Sequence, residues 1–148
     1  MSGPPNTFQA RFPRLTPNNH VLTSPEDFAY NCIAWAAGDK GRFWWPQPVV
    51  PYLYWPQGVC REVARHCFVG AFATLGYQEA EALDWSWTAG VEKVVLYEDS
   101  SGTPTHAARQ LPSGRWTSKL GRNVDIEHLQ PEDVEGPAYG TAAVLLAR

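Results

Sequence analysis

Residues 59–76 carry the strongest periodic signal. Val63, Cys67, Phe68, Ala71, Phe72 and Leu75 recur at spacings of three and four, and Gly76 follows as a C-terminal stop. This pattern predicts an amphipathic helix over 59–76. A shorter run, Asn31-Cys32-Ile33-Ala34-Trp35-Ala36-Ala37, ends at Gly38 and predicts a helix that is apolar nearly all round, hence buried. Ser24-Pro25-Glu26-Asp27 has the order of a helix start: a capping hydroxyl, a proline at the first helical position, then acids. The second half changes period. Val94-Val95-Leu96-Tyr97 predicts a strand within 92–98, followed by the turn Asp99-Ser100-Ser101-Gly102-Thr103. Residues 105–111 and 115–118 predict a hairpin across Pro112-Ser113-Gly114, residues 119–138 mostly loop, and Tyr139 to Leu146 a last strand. Residues 1–23 are polar, punctuated by proline, and predicted irregular. The expectation is one α+β domain spanning 1–148, with N-terminal helices packed on a small antiparallel β-sheet.

The segment from Phe43 to Pro56 breaks both periods. It holds Trp44, Trp45, Tyr52, Tyr54 and Trp55 among Pro46, Pro48, Pro51 and Pro56. Prolines at this density exclude a regular helix or a central strand. They also exclude a membrane span, although Phe43 to Cys60 is the longest uncharged run. Two readings of the aromatics stand side by side: packing of a loop onto the core, or one wall of a substrate groove.

Composition narrows the classes. Apolar residues are 44% and charged residues 18% of the 148, which is globular. A net charge of −3 gives no footprint for nucleic acid or an anionic membrane. Met1-Ser2-Gly3-Pro4-Pro5-Asn6 lacks a basic and an apolar region, so the expected compartment is the cytoplasm, with a signal-independent route needed for any export. The three cysteines are Cys32, Cys60 and Cys67. On a continuous helix Cys60 and Cys67 would sit about 10 Å apart along the axis and could not bridge, so they are expected as two buried hydrophobes. His66 and Cys67 lack a C-x-x-C partner, and no metal or organic cofactor is expected.

Cys32 is the candidate nucleophile. It opens a helix, where the dipole favours a thiolate. A thiolate attacks acyl carbon and needs a base, which in turn needs an orienting group. Of His20, His66, His106 and His128, His106 stands after a turn at the start of a strand, facing the direction from which a sheet edge would meet that helix. Asp125 is the first choice of orienter, with Ser118, Glu127 and His128 as alternatives. Asn31 is either a helix cap or an amide donor to an oxyanion hole. Arg109 and Lys119 are expected as surface charges.

The run Tyr30-Asn31-Cys32-Ile33-Ala34-Trp35-Ala36 resembles the nucleophile helix of papain-like cysteine hydrolases of the NlpC and CHAP type. The order of Cys32, helical segments, a strand, His106 and a hairpin is similar to theirs. The chain also resembles a group of uncharacterised bacterial proteins carrying the N-C-I-A-W-A segment, a Trp-Trp-Pro segment (Trp44-Trp45-Pro46), and segments like Thr105-His106-Ala107-Ala108-Arg109-Gln110-Leu111 and Trp116-Thr117-Ser118-Lys119-Leu120-Gly121. The first resemblance implies a papain-like fold and a cysteine hydrolase, peptidase or amidase-like, or an acyltransferase. Cys32 would be its nucleophile, His106 its base, and Asp125 or Ser118 the third residue. Asn31, Trp35, Trp44, Trp45 and Ser118 would then contact a peptide or protein substrate or its oxyanion. The competing expectations are a catalytically inactive protein-binding module and a small regulatory or immunity protein.

Overall fold

The computed structural model describes residues 7–25, 27, 29–46, 53–120 and 124–148. Its dominant element is a seven-stranded, wholly antiparallel sheet, and this corrects the expected architecture. In chain order the strands are β1 (His20–Ser24), β4 (Gln78–Glu79), β5 (Lys93–Glu98), β6 (Pro104–Gln110), β7 (Trp116–Lys119), β8 (Asp125–His128) and β9 (Thr141–Ala147). Across the sheet they run β1-β8-β7-β6-β5-β9-β4. Two short parallel strands, β2 (Phe43–Trp44) and β3 (Leu53–Tyr54), stand apart. The helices are α1 (Thr7–Arg11), α2 (Cys32–Ala36) and α3 (Arg65–Ala73), with a 3-10 turn at Pro131–Val134. The sheet is therefore the frame and the helices are its cover. The papain-like arrangement of N-terminal helices on a small sheet is not the one present.

Both faces of the sheet are covered, and that explains its sequence. All six residues of β5 are buried. A strand sandwiched between two layers reads as a continuous apolar run rather than an alternation. Side chains still alternate between faces. Val94 and Leu96 of β5, Ala107 of β6, and Val144 and Leu146 of β9 join one core with α2, α3 and the aromatic segment. Val95 and Tyr97, Ala108, Trp116, Ile126 and Leu145 join a second core with Phe12, Leu15, Val134 and Tyr139.

The predicted helix over 59–76 is shorter at its N-terminal end. Helix α3 begins at Arg65, and Ala64 caps it in an extended conformation without a side-chain bond. Phe68 and Phe72 are fully buried, each contributing about 1.5–3 kcal/mol. Gly76 adopts φ +94° in the turn after the helix, as its position suggested. Arg65 holds the helix to the sheet by pairing bidentately with the buried Glu98 at the end of β5.

The chain is not helical between residues 60 and 64, so Cys60 and Cys67 come within 5.2 Å (Cα–Cα) and form a disulfide. The expectation that they could not bridge assumed helix where there is none. The irregular N-terminal segment contains α1 and β1, and the expected loop 119–138 contains β8 and the 3-10 turn. Ser24 ends β1, and the neighbouring described residues Pro25 and Asp27 are not helical. Glu26, residues 47–52 of the aromatic segment, and Gly121 lie outside the described residues. Among the described residues, no helix is long and apolar enough to cross a membrane.

Candidate functional site

The residues singled out in the sequence fall into two groups, and the sheet lies between them. On the face covered by α2 are Cys32, Trp35, Lys119 and Asp125. The buried Tyr30 stacks on Trp35 at 5.3 Å and donates to Asp125 Oδ2 at 2.5 Å. Lys119 and Asp125, paired across β7 and β8, are both fully buried with Nζ and Oδ1 3.8 Å apart. Lys119 Nζ lies 4.6 Å from the centre of the Tyr30 ring. Burial and the neighbouring carboxylate push the Tyr30 phenol above its ordinary value. Lys119 is thus no surface charge, and Arg109 lies partly buried with its guanidinium 5.8 Å from the centre of the Trp35 ring.

Cys32 opens α2 as predicted, but its environment opposes a thiolate. The residue is 7% exposed, and burial pushes its pKa up to about 11 despite opposing backbone hydrogen bonds and the Lys119 charge. The dipole of a five-residue helix is weak beside that desolvation.

His106 faces the other way. It stands across from Tyr97 of β5, with Ala107 between it and the α2 face. Its ring stacks on Tyr139, with centroids 3.9 Å apart and planes 5° apart. Its Nε2 lies 3.1 Å from Ser118 Oγ, which lies 2.8 Å from His128 Nε2. His128 Nδ1 lies 2.8 Å from the Gln130 carbonyl. The proton positions follow from that last contact. A carbonyl only accepts, so His128 Nδ1 carries hydrogen and its neutral ring has a bare Nε2. Ser118 donates to it and accepts from His106 Nε2–H. His106 Nδ1 is left bare, with no hydrogen-bond partner among the described residues. Burial brings His128 down to about 4, and burial together with His128 holds His106 well below the ordinary imidazole value.

The expected Cys32–His106–Asp125 triad is therefore not assembled. Cys32 and Asp125 share one face, and His106, Ser118 and His128 share the other. A base must come within hydrogen-bond reach of its nucleophile, and here the sheet backbone separates them. Ser118 and His128, held as alternatives for the third position, are the residues that do meet His106.

The residues expected at the oxyanion and the groove have partners within the fold. Asn31 caps α2, with Oδ1 accepting from the Ala34 and Trp44 amides at 3.1 and 3.0 Å. Its Nδ2 donates one hydrogen to the Trp44 carbonyl at 2.8 Å, so the side chain ties the helix to β2. Trp44 is buried and donates to Asp39 Oδ2 at 2.9 Å. Trp45 and Trp55 pack edge-on against Phe68, and Trp35 donates to Thr117 Oγ1 at 3.0 Å. Trp44, Trp45 and Trp55 of this segment thus each make packing contacts or hydrogen bonds within the fold.

A cleft of about 310 Å³ lies elsewhere, where β6 ends and the chain approaches β5. Trp87, Val91, Leu111 and Pro112 supply its apolar lining, and Glu92, Arg109 and Gln110 its polar one. Buried Lys93 shapes the approach by donating to the Asp84 and Ser86 carbonyls at 2.8 and 2.6 Å. Gln110 Nε2 donates to the Trp85 and Gly114 carbonyls at 3.0 and 3.3 Å. Those two acceptors fix the amide's orientation and leave Oε1 without a partner among the described residues, in a side chain belonging to a residue only 7% exposed. Sequence reasoning passed over this cleft, because Trp87 belongs to no motif and Gln110 entered only as part of a segment without assigned chemistry.

Residues 21–147 match the model of a family described as a domain of unknown function, DUF7689, and the chain belongs to that family. No curated protein and no solved structure matches it.

Proposed function

We propose that this DUF7689 member is a binding module that takes a short peptide segment in the cleft between residues 87–92 and 109–112, without acyl-transfer chemistry. One observation carries the reading: the cleft sets the apolar Trp87, Val91, Leu111 and Pro112 beside the polar Glu92, Arg109 and Gln110. A short extended peptide offers apolar side chains to the first set and backbone polar groups to the second. Arg109 offers a cation to a peptide carbonyl or carboxylate, and Trp87, half exposed, offers an aromatic face to an apolar side chain. The position of Cys32 and His106 on opposite faces speaks against the hydrolase alternative.

The test is amide chemical-shift mapping by NMR with a mixed library of tetrapeptides at millimolar concentration. Shifts clustered on 87–92 and 109–112, weakened about tenfold in affinity by Trp87→Ala, are expected. Trp87 is exposed enough that its removal leaves stability within about 0.5 kcal/mol. Shifts that are absent, or that cluster on another face, would refute the reading.

A further inference from the structure

We infer that Cys60, His66 and Cys67 form a redox-gated site for a soft divalent metal ion: closed while the two cysteines are joined, and open as a Cys2His tripod once they are reduced. This rests on residues far from the peptide cleft in sequence and is independent of it.

The two sulfurs and one imidazole nitrogen all lie within 4.8 Å of one another. Tetrahedral zinc with bonds of about 2.3 Å to sulfur and 2.0 Å to nitrogen sets its ligand atoms roughly 3.5–3.8 Å apart, inside that envelope. Cα atoms 5.2 Å apart let both sulfurs reach one ion by rotation about χ1, with the backbone in place.

The backbone is held independently of the disulfide. Trp55, buried and packed on Phe68, donates its indole N–H to the Cys60 carbonyl at 2.8 Å. Val59, one residue before Cys60, lies against Gly70 of α3, so closely that a Cβ there would stand 3.2 Å from its side chain. Cys67 is fully buried in the first turn of α3. Cys60 and His66 are exposed, so the site opens to solvent on one side. Three protein ligands and an open side leave a fourth position for water, the pattern of a reactive or exchangeable metal site.

The two states exclude each other by electron count. Reduction puts two electrons into the Cys60–Cys67 bond, which breaks as each sulfur takes a proton. A water-soluble phosphine serves as reductant and leaves as its oxide with an oxygen from water. Metal binding then forms two sulfur–metal bonds and releases those two protons, while neutral His66 supplies its nitrogen lone pair.

The experiment uses the full chain and Co2+ as the probe. The protein is reduced with the phosphine, desalted without oxygen, and titrated while its absorption spectrum is followed. One Co2+ per chain, with sulfur-to-metal charge-transfer bands and tetrahedral d–d bands, is expected. The oxidised chain should bind at least about a hundredfold more weakly, and His66→Ala should weaken binding of the reduced chain about tenfold or more. Cys60→Ser, at an exposed position, should remove tight binding and keep the fold. Circular dichroism before and after reduction separates a folded site from thiols of an unfolded chain. The inference is overturned if the reduced chain lacks the sulfur–cobalt bands. It is equally overturned if oxidised protein or Cys60→Ser binds as tightly, or if binding occurs only on an unfolded chain.

Discussion

Lowering the pH from 7 to 5 should weaken this fold by an amount that the buried imidazoles set. His128 titrates near 6.5 when unfolded and at about 4 when folded. Between those values the unfolded chain holds a proton that the folded chain refuses. Stability is therefore full above pH 6.5, falls as pH drops through that window, and stops falling below about 4. At pH 5 the unfolded ring is almost wholly protonated and the folded ring about one-tenth so, which makes the loss between pH 7 and pH 5 about 2 kcal/mol for His128 alone. His106, also depressed by burial, adds in the same direction. Against a typical total of about 5–15 kcal/mol this is a large fraction. The assay is urea unfolding at pH 7, 6 and 5, followed by tryptophan emission and far-UV circular dichroism. Carboxylates mostly titrate below this window, so they leave the slope to the histidines. The ring Cε1 proton of His128 should keep its chemical shift down to pH 5 in the folded protein. A stability that is flat from pH 7 to 5, or a His128 resonance titrating near 6.5, would show that water reaches these rings and that the derived proton positions are wrong.

Other consequences follow from the same geometry. Cys32 should resist iodoacetamide in the folded protein from pH 5 to 9, while reduced Cys60 reacts; fast alkylation of Cys32 near pH 6, read by peptide mass mapping, would restore the hydrolase reading. Asp125→Ala should cost about 3–5 kcal/mol in urea unfolding, because it removes the carboxylate beside buried Lys119 and the acceptor of Tyr30. Asn31→Ala should cost about 1–3 kcal/mol, since it strips a helix cap and two bonds to Trp44. Gly140→Ala should leave little folded protein in solubility and circular dichroism assays. Gly140 sits at φ +78°, and a Cβ there would run into the Glu98 backbone.

The legible parts of this fold were those with a local cause. The β6–β7 hairpin follows from its Pro-Ser-Gly turn, and β5 from a run of four apolar residues. Helix α2 begins at Cys32 because Asn31 caps it, and its partners across the chain add only confirmation of that start. What stayed hidden depends on distant pairing. β8 reads Asp-Ile-Glu-His, poor in strand formers, and is a strand because β7 and β1 flank it. Residues 59–64 fit a helical period yet lie outside the helix, where Trp55 holds Cys60 and the disulfide closes on Cys67. The same limit governed the chemistry. Cys32 and His106 appear in a suggestive order, but which face a β6 residue occupies is a matter of one position. His106 points away from α2 and Ala107 points toward it. A one-residue shift reverses every such assignment, and composition does not reveal the parity.

The strand order also says when this molecule can be completed. Strands β5 to β8 follow one another as a meander and can zip together from local turns. Among the described residues β4 has no strand partner but β9, and β9 also closes the open side of β5. Helix α3, emerging from the ribosome early, leads straight into β4. That strand must wait for Thr141–Ala147 before its sheet neighbour exists. During synthesis the apolar flank of β5 stays uncovered until those last seven strand residues arrive, which makes this interval the one in which the nascent chain most needs protection from aggregation.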